Sequence, residues 1–225
     1  MSVRGQSMVL VFAVWGFLAV FMVVSGFAVR RAKRAAALRM AEFHVYAQAT
    51  GWRTLPLDHP LGPAGDGPRG ARRVLCLERR TGTRTVRVVC HHWWETTSDG
   101  TVTSSTPRFA AHYLVPLVGG PFPDVAFRVR TRLGGAVVPV RGPGTGDAGF
   151  DRRFLVVGPG GVALARLLPP PMRHAMLTGA VPPWSIVSGV LVTLFPSHPA
   201  VADLNPRAEA AVRLAALVEG DVPWA

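Results

Sequence analysis

Met8 to Val29 runs for 22 residues without one ionisable side chain and carries Phe12, Trp15, Phe17, Leu18, Phe21, Met22 and Phe27. Few environments accept such a stretch. About 20 apolar residues rising 1.5 Å each cross roughly 30 Å of hydrocarbon, so it is long enough to span a bilayer. A spanning helix satisfies its backbone N–H and C=O groups internally, which lipid requires. Gly16, Ser25 and Gly26 fit, because small residues are common in spanning helices. The alternative is a cleaved secretory signal, with an apolar core of about 7–15 residues behind a basic leader. Here the core is longer and the basic cluster lies on the other side. The sequence therefore predicts a short tail over 1–7 and an uncleaved transmembrane helix over 8–29.

The flanks predict its orientation. Only Arg4 precedes the stretch, whereas Arg30, Arg31, Lys33 and Arg34 follow it at once and Arg39 soon after. Lys and Arg remain on the cytoplasmic side, which puts the first residues outside and 30–225 in the cytoplasm at the plasma membrane. The same four cations determine topology, and each is worth about 1 kcal/mol beside anionic headgroups. Residues 30–50, rich in Ala and helix formers, read as a basic juxtamembrane continuation of the helix, with Gly51 placed to end it.

The chain has 225 residues, with 17% charged, 49% apolar and a mean hydropathy of +0.27. That length allows one domain over 51–225 beyond the anchor. Two cysteines exclude a disulfide-stapled miniprotein and a Cys₄ zinc module. The net charge of +12 rests on 25 Lys and Arg, of which only Lys33 is lysine. An arginine bias so extreme, beside abundant Ala, Gly, Pro and Val, reads as high-GC coding and weakens charge as a guide to partners.

Past Gly51 the pattern changes to strands and turns. Pro56 to Gly70 is rich in proline and glycine, hence a loop. Arg72–Glu78 and Arg84–Cys90 are β-branched runs around Thr81-Gly82, which predicts a hairpin turning on those two residues. The second strand continues to Asp99-Gly100, a strong hairpin signal, and its partner spans Thr101–Val118 with Pro107 marking an edge or bulge. Val125 to Arg132 alternates, with Val125, Phe127, Val129 and Thr131 inward and Arg128, Arg130 and Arg132 outward. Ala136–Val140, Phe150–Val157 and Trp184–Phe195 are expected as strands, and Arg141–Gly149 as a loop. Gly161–Thr178 is expected as a helix broken at Pro169–Pro171. Asn205-Pro206 is expected to cap a last helix ending at Glu219. The predicted fold class is α+β, with a mainly antiparallel sheet and two C-terminal helices.

The basic anchored helix ending in Gly51-Trp52, the β-rich middle, Phe150-Asp151-Arg152-Arg153-Phe154, Ala163–Leu168, Pro171-Met172 and the closing Pro223-Trp224 together resemble one group. They are similar to the uncharacterised single-span membrane proteins of high-GC Gram-positive bacteria. The resemblance covers residues 30–225 and implies architecture, not chemistry, since that group has no established activity.

Three patterns suggest chemistry. Gly158-Pro159-Gly160-Gly161-Val162-Ala163 has the G-x-G-x-x-A spacing of a dinucleotide turn, but no Asp or Glu stands between Asp151 and Asp203 to take a ribose, and a tight turn explains it. Cys90 and His92 share a strand face, with His112 the nearest third ligand; two ligands do not make a zinc site. Two-residue spacing puts Cys76 and Cys90 on opposite faces, and the cytoplasm would keep them reduced. Asp147 and Asp151 form a close acidic pair in a glycine-rich loop. The Arg128, Arg130, Arg132 stripe reads as a solvated face.

These readings assign no catalytic, cofactor-binding or metal residues, expect no cofactor and no nucleic acid, and leave the bilayer, anionic lipid headgroups and a protein as partners. The expected role is a membrane-anchored, cytoplasm-facing module that binds a protein or lipid surface. The alternatives are an enzyme with a dispersed site, or an extracytoplasmic domain freed by signal cleavage.

Overall fold

The computed structural model describes residues 31, 34, 41–98, 100, 103–130, 132–133, 136–137, 142–197 and 200–220, the pairs 132–133 and 136–137 by backbone alone. The expected transmembrane helix at 8–29 lies outside them, as do Arg30 and Lys33. Among the described residues no helix is long and apolar enough to cross a membrane. The chain divides into two compact units, 1–49 and 50–225. In the first, Arg31, Arg34 and 41–49 (α1) are helical, with Arg31 and Arg34 exposed. A turn at 50–51 follows, and Gly51 adopts φ +78°, which only glycine takes without strain.

The second unit is α+β, built on an eight-stranded sheet in which every pairing is antiparallel. Its strands are β1 (Arg53–Thr54), β2 (Arg72–Thr81), β3 (Arg84–Ser98), β4 (Thr103–Pro116), β5 (Val125–Val129), β8 (Phe154–Val157), β9 (Trp184–Val187) and β10 (Val190–Phe195). They lie in the order β1-β2-β3-β4-β10-β9-β5-β8, while β6 (Arg132–Leu133) and β7 (Ala136–Val137) pair separately. The helices are α2 (Ala148–Arg153), α3 (Val162–Leu167), α4 (Pro170–Thr178) and α5 (Leu204–Glu219).

Several expected boundaries move, each for a local reason. The first hairpin turns on Gly82-Thr83 rather than Thr81-Gly82, because Thr81 pairs with Arg84 and Gly82 takes φ +61° at the first central position, as a II′ turn demands. Trp184–Phe195 is two strands. Ser188 and Gly189, at φ +50° and +74°, form an I′ turn between Val187 and Val190, and the Asp124 carboxylate accepts the Ser188 N–H at 2.7 Å. Phe150–Arg153 is helical rather than strand, because Asp147 caps α2 by accepting the Phe150 N–H at 3.0 Å. Four helices therefore stand in the C-terminal half in place of two, with α3 and α4 separated at the expected prolines. α5 begins at Leu204, so Asn205 is not its cap. Its side-chain oxygen instead accepts from Trp52 Nε1 at 2.8 Å and Arg79 Nη1 at 2.6 Å. β5 ends at Val129, which is exposed instead of core-facing.

Pleat geometry gives the sheet two faces. One carries Leu77, Val88, Tyr113, Leu191 and Ile186, all buried, and α5 packs there through Leu204, Ala208, Ala211, Ala215 and Val218. Further along it Phe127, Phe150, Phe154 and Trp184 stack at 4.4–6.4 Å between ring centres. The other face carries Cys76, Val89, Leu114 and Val192, covered by Leu55, Leu61 and Ala64 from the proline-rich segment with its 3₁₀ turn at Pro63–Gly65.

Glu219 ties the end of α5 to the sheet. Its carboxylate accepts both terminal nitrogens of Arg84 (Nη1 at 2.9 Å) and the Val118 N–H, with the acid side chain 3% exposed and the arginine 12%. Removing one member of a buried pair strands the other charge. Glu219→Ala is expected to lower stability by about 3–5 kcal/mol, and Arg84→Met with Glu219→Leu to recover most of it, read as denaturation midpoints.

Candidate functional site

The glycine motif and the 142–149 loop meet. A cavity of about 250 Å³ opens between Gly144–Gly146 and the start of α3, with Leu164, Leu168 and Arg173 in its wall. Among the described residues Arg173 is the one ionisable group lining it; Nη1 donates to the Thr145 carbonyl at 3.3 Å, and Nε lies 3.6 Å from the Asp147 carboxylate. Asp147 serves as the α2 cap. Asp151 accepts the Thr145 N–H at 3.0 Å and its hydroxyl at 2.8 Å. Both acids of the close pair thus hold the loop. β8, the strand leading into the motif, lies antiparallel at the sheet edge, whereas a dinucleotide site is built on parallel strands.

The histidines sort differently from the expectation. Cys90 sits opposite Leu75 and Ala111, and His92 opposite Arg72 and Phe109, on the face covered by α5. His112 sits opposite Val89, on the other face, so it cannot join them. It packs instead against His91, with ring centres 4.8 Å apart and planes tilted by 51°. His91 is 2% exposed and His112 9%. Neither His91 nitrogen nor His112 Nδ1 has a well-formed hydrogen bond. The sequence held a signal for this: with Asp99-Gly100 at the hairpin end, His112 opposes an odd-numbered residue of β3, the face of His91. Among the described residues no three His, Cys, Asp or Glu side chains converge to hold a metal ion.

Burial sets the ionisation of this region. It pushes the Cys90 thiol up to about 12, and raises that of Cys76 against the opposing pull of Arg73 and Arg87. Both cysteines are free and lie on opposite faces, the outcome of a two-residue turn. Desolvation lowers His112 to about 4 and also lowers His91, beside Arg73; Asp66 and the Gly65 backbone weakly oppose the latter shift.

One stretch of the sheet has no paired neighbour among the described residues. β2 stops pairing at His92 and β10 at Ala111, so 93–98 and 103–110 project as a two-stranded arm. At its root Arg72, His92 and Phe109 form a row across three strands, with Trp94 next along β3. His92 lies 4.7 Å from Phe109 and 5.8 Å from Trp94 between ring centres, and Trp94 is 61% exposed. Pro107, opposite Trp94, lacks a backbone donor, as tolerated on an open edge. Beyond it Thr96 with Ser105 and Thr97 with Ser104 pair through hydroxyls at 3.1 and 2.8 Å. Nothing in the sequence reading singled out this row. The arginine stripe is not continuous: Arg128 is exposed, but Arg130 Nε donates to the Asp151 and Phe154 carbonyls. The Arg132 side chain lies outside the described residues.

Comparison with protein-family models, curated proteins and solved structures gave no match to this chain.

A Cβ at Gly67 would stand 2.4 Å from His91 Nδ1. Gly67→Ala must therefore displace the segment or the ring. It is expected to cost about 1–3 kcal/mol as overpacking does, whereas Gly70→Ala, with open space around it but φ +78°, should cost only backbone strain. Thermal denaturation of the two variants compares them.

Proposed function

We propose that this chain is a membrane-tethered module, single-spanning through 8–29, whose 51–225 domain stands on the cytoplasmic side and works by binding the anionic bilayer surface. On this reading it belongs with the single-span membrane proteins of high-GC Gram-positive bacteria that it resembles. The observation that carries the binding role is the Arg72–His92–Phe109 row with exposed Trp94 beside it. Tryptophan and other amphipathic rings favour the headgroup level of a bilayer, and a neighbouring guanidinium suits lipid phosphate.

The charge distribution supports the same reading. Asp66, Glu78, Glu95, Asp147, Asp203 and Glu219 each pair with an arginine, while Arg69, Arg72, Arg80, Arg128 and Arg152 stand exposed. Arg30, Arg31, Lys33 and Arg34 add a basic flank on the proposed cytoplasmic side, where anionic lipid is concentrated.

Two measurements on the full chain in native membranes test this. A carboxyl-terminal reporter active only outside the cytoplasm is expected to stay silent, and to gain activity when Arg30, Arg31, Lys33 and Arg34 are changed to Gln. A photo-crosslinking residue at position 94 is expected to capture phospholipid. Reporter activity in the native chain overturns the orientation; capture of a protein, or of nothing, overturns lipid as the partner.

A further inference from the structure

The His91–His112 pair lies beneath the proline-rich segment, at the point where the arm leaves the sheet. Gly67 rests directly on the His91 ring, and Leu61 and Ala64 cover Cys76, Val89, Leu114 and Val192 beside it. Among the described residues few bonds hold this cover down. The Leu55 N–H donates to the Cys76 carbonyl at 2.9 Å. Arg73 Nη1 donates to the His59 carbonyl at 2.8 Å and more weakly to that of Leu57 at 3.4 Å, and its other terminal nitrogen lies 3.5 Å from the Asp66 carboxylate. One arginine thus clamps much of the segment, and the rest of its hold is the Leu55 bond, the Gly65 backbone against His91 and apolar contact.

We propose that residues 55–67 form an acid-released cover: a proton taken by either imidazole of the His91–His112 pair lifts the segment and bares the sheet face that carries Cys76. The closed geometry offers a charge on His91 only the Gly65 backbone and Asp66, which burial and Arg73 outweigh. Both rings are at least nine-tenths buried, they face each other at 4.8 Å, and a cation on either repels a cation on the other. Of the groups around the pair, Arg73 on β2 repels a protonated His91, and Asp66 on the cover attracts it but is already engaged with Arg73. Cys76 on β2 is a neutral thiol. Glu78 and Arg87 pair with each other further along the same face, as do Glu95 and Arg108 on the arm. β10 presents Val192 and Leu194. Once the cover lifts, water solvates both rings and the charge is accommodated.

The sign follows from the lowered histidines. Above the ordinary value of 6.5 both states are neutral and the cover stays shut. Between 6.5 and about 4 His112 binds a proton in the open state that it refuses in the closed one, so the open fraction grows as pH falls, by about tenfold per unit for that proton. Below that range the closed state also protonates and the growth stops.

The two buried cysteines report this directly, because Cys76 lies under the cover and Cys90 lies on the face packed by α5. The full chain is labelled with 4,4′-dithiodipyridine, which reacts with thiols in acid, from pH 7 to pH 4, with rates normalised to the denatured chain. Cys76 labelling is expected to accelerate about tenfold per unit below 6.5 while Cys90 stays protected. Replacing both rings (His91→Gln with His112→Phe) is expected to flatten the Cys76 profile. Equal acceleration at both thiols is global unfolding and overturns the proposal, as does a flat Cys76 profile in the native chain. If the double variant does not fold, the contrast between the thiols in the native chain decides alone. None of these outcomes depends on lipid binding.

Discussion

A sheet has two faces, and among the described residues of the second unit the helices cover one of them. α5 and the aromatic cluster around Phe127 and Phe150 seal one side. The other side depends on a short segment of prolines and glycines, laid over Cys76, Val89, Leu114 and Val192. Such a segment brings little apolar area and no internal ladder of hydrogen bonds, so it ranks among the parts that open locally before the whole domain does. Among the described residues the arm beyond His92 and Ala111 has no neighbouring strand on either side, and Trp94 stands exposed at its root. What is sealed, what is latched and what is bare are all set by where strand pairing stops.

Electrostatics follows the same division. Where side chains are buried, charge is matched: Glu219 takes Arg84, and hydrogen bonding from Arg87 holds the Glu78 carboxyl below its usual range. The histidine pair is the exception, two buried bases with no acid pointed at both. Burial favours their neutral forms, and that preference makes the region sensitive to acid. Of the remaining arginines, Arg79, Arg130 and Arg153 brace the fold through Asn205 and backbone carbonyls, whereas Arg69, Arg72, Arg80, Arg128 and Arg152 are exposed and add to attraction toward anionic surfaces.

Much of the domain was readable from local chemistry. β-branched runs between glycine turns gave β2, β3 and β4, prolines at 169–171 gave the break between α3 and α4, and the spacing of Ala208, Ala211, Ala215 and Val218 gave α5. What escaped was decided by single residues or by distance. Phe150, Phe154 and Val156 alternate as a strand would, and only the Asp147 cap turns the first of them into helix. Ser188-Gly189 hides an I′ turn inside an apolar run. The assignment of His112 to a face depends on strand register, and a one-residue slip moves every side chain to the other side. The Arg72–His92–Phe109 row joins three strands, and the bulge between Arg73 and Leu75 sets where the first crosses, so no local window contains it.

The claim that the uncovered part of the sheet is the working surface is tested most directly by amide hydrogen exchange on the full chain. Rates in anionic bilayers are compared with rates in a neutral detergent. The account predicts that amides of 93–98 and 103–110 slow markedly in the anionic bilayer while those of β2, β10 and α5 remain unchanged. Identical arm rates in the two environments would contradict it.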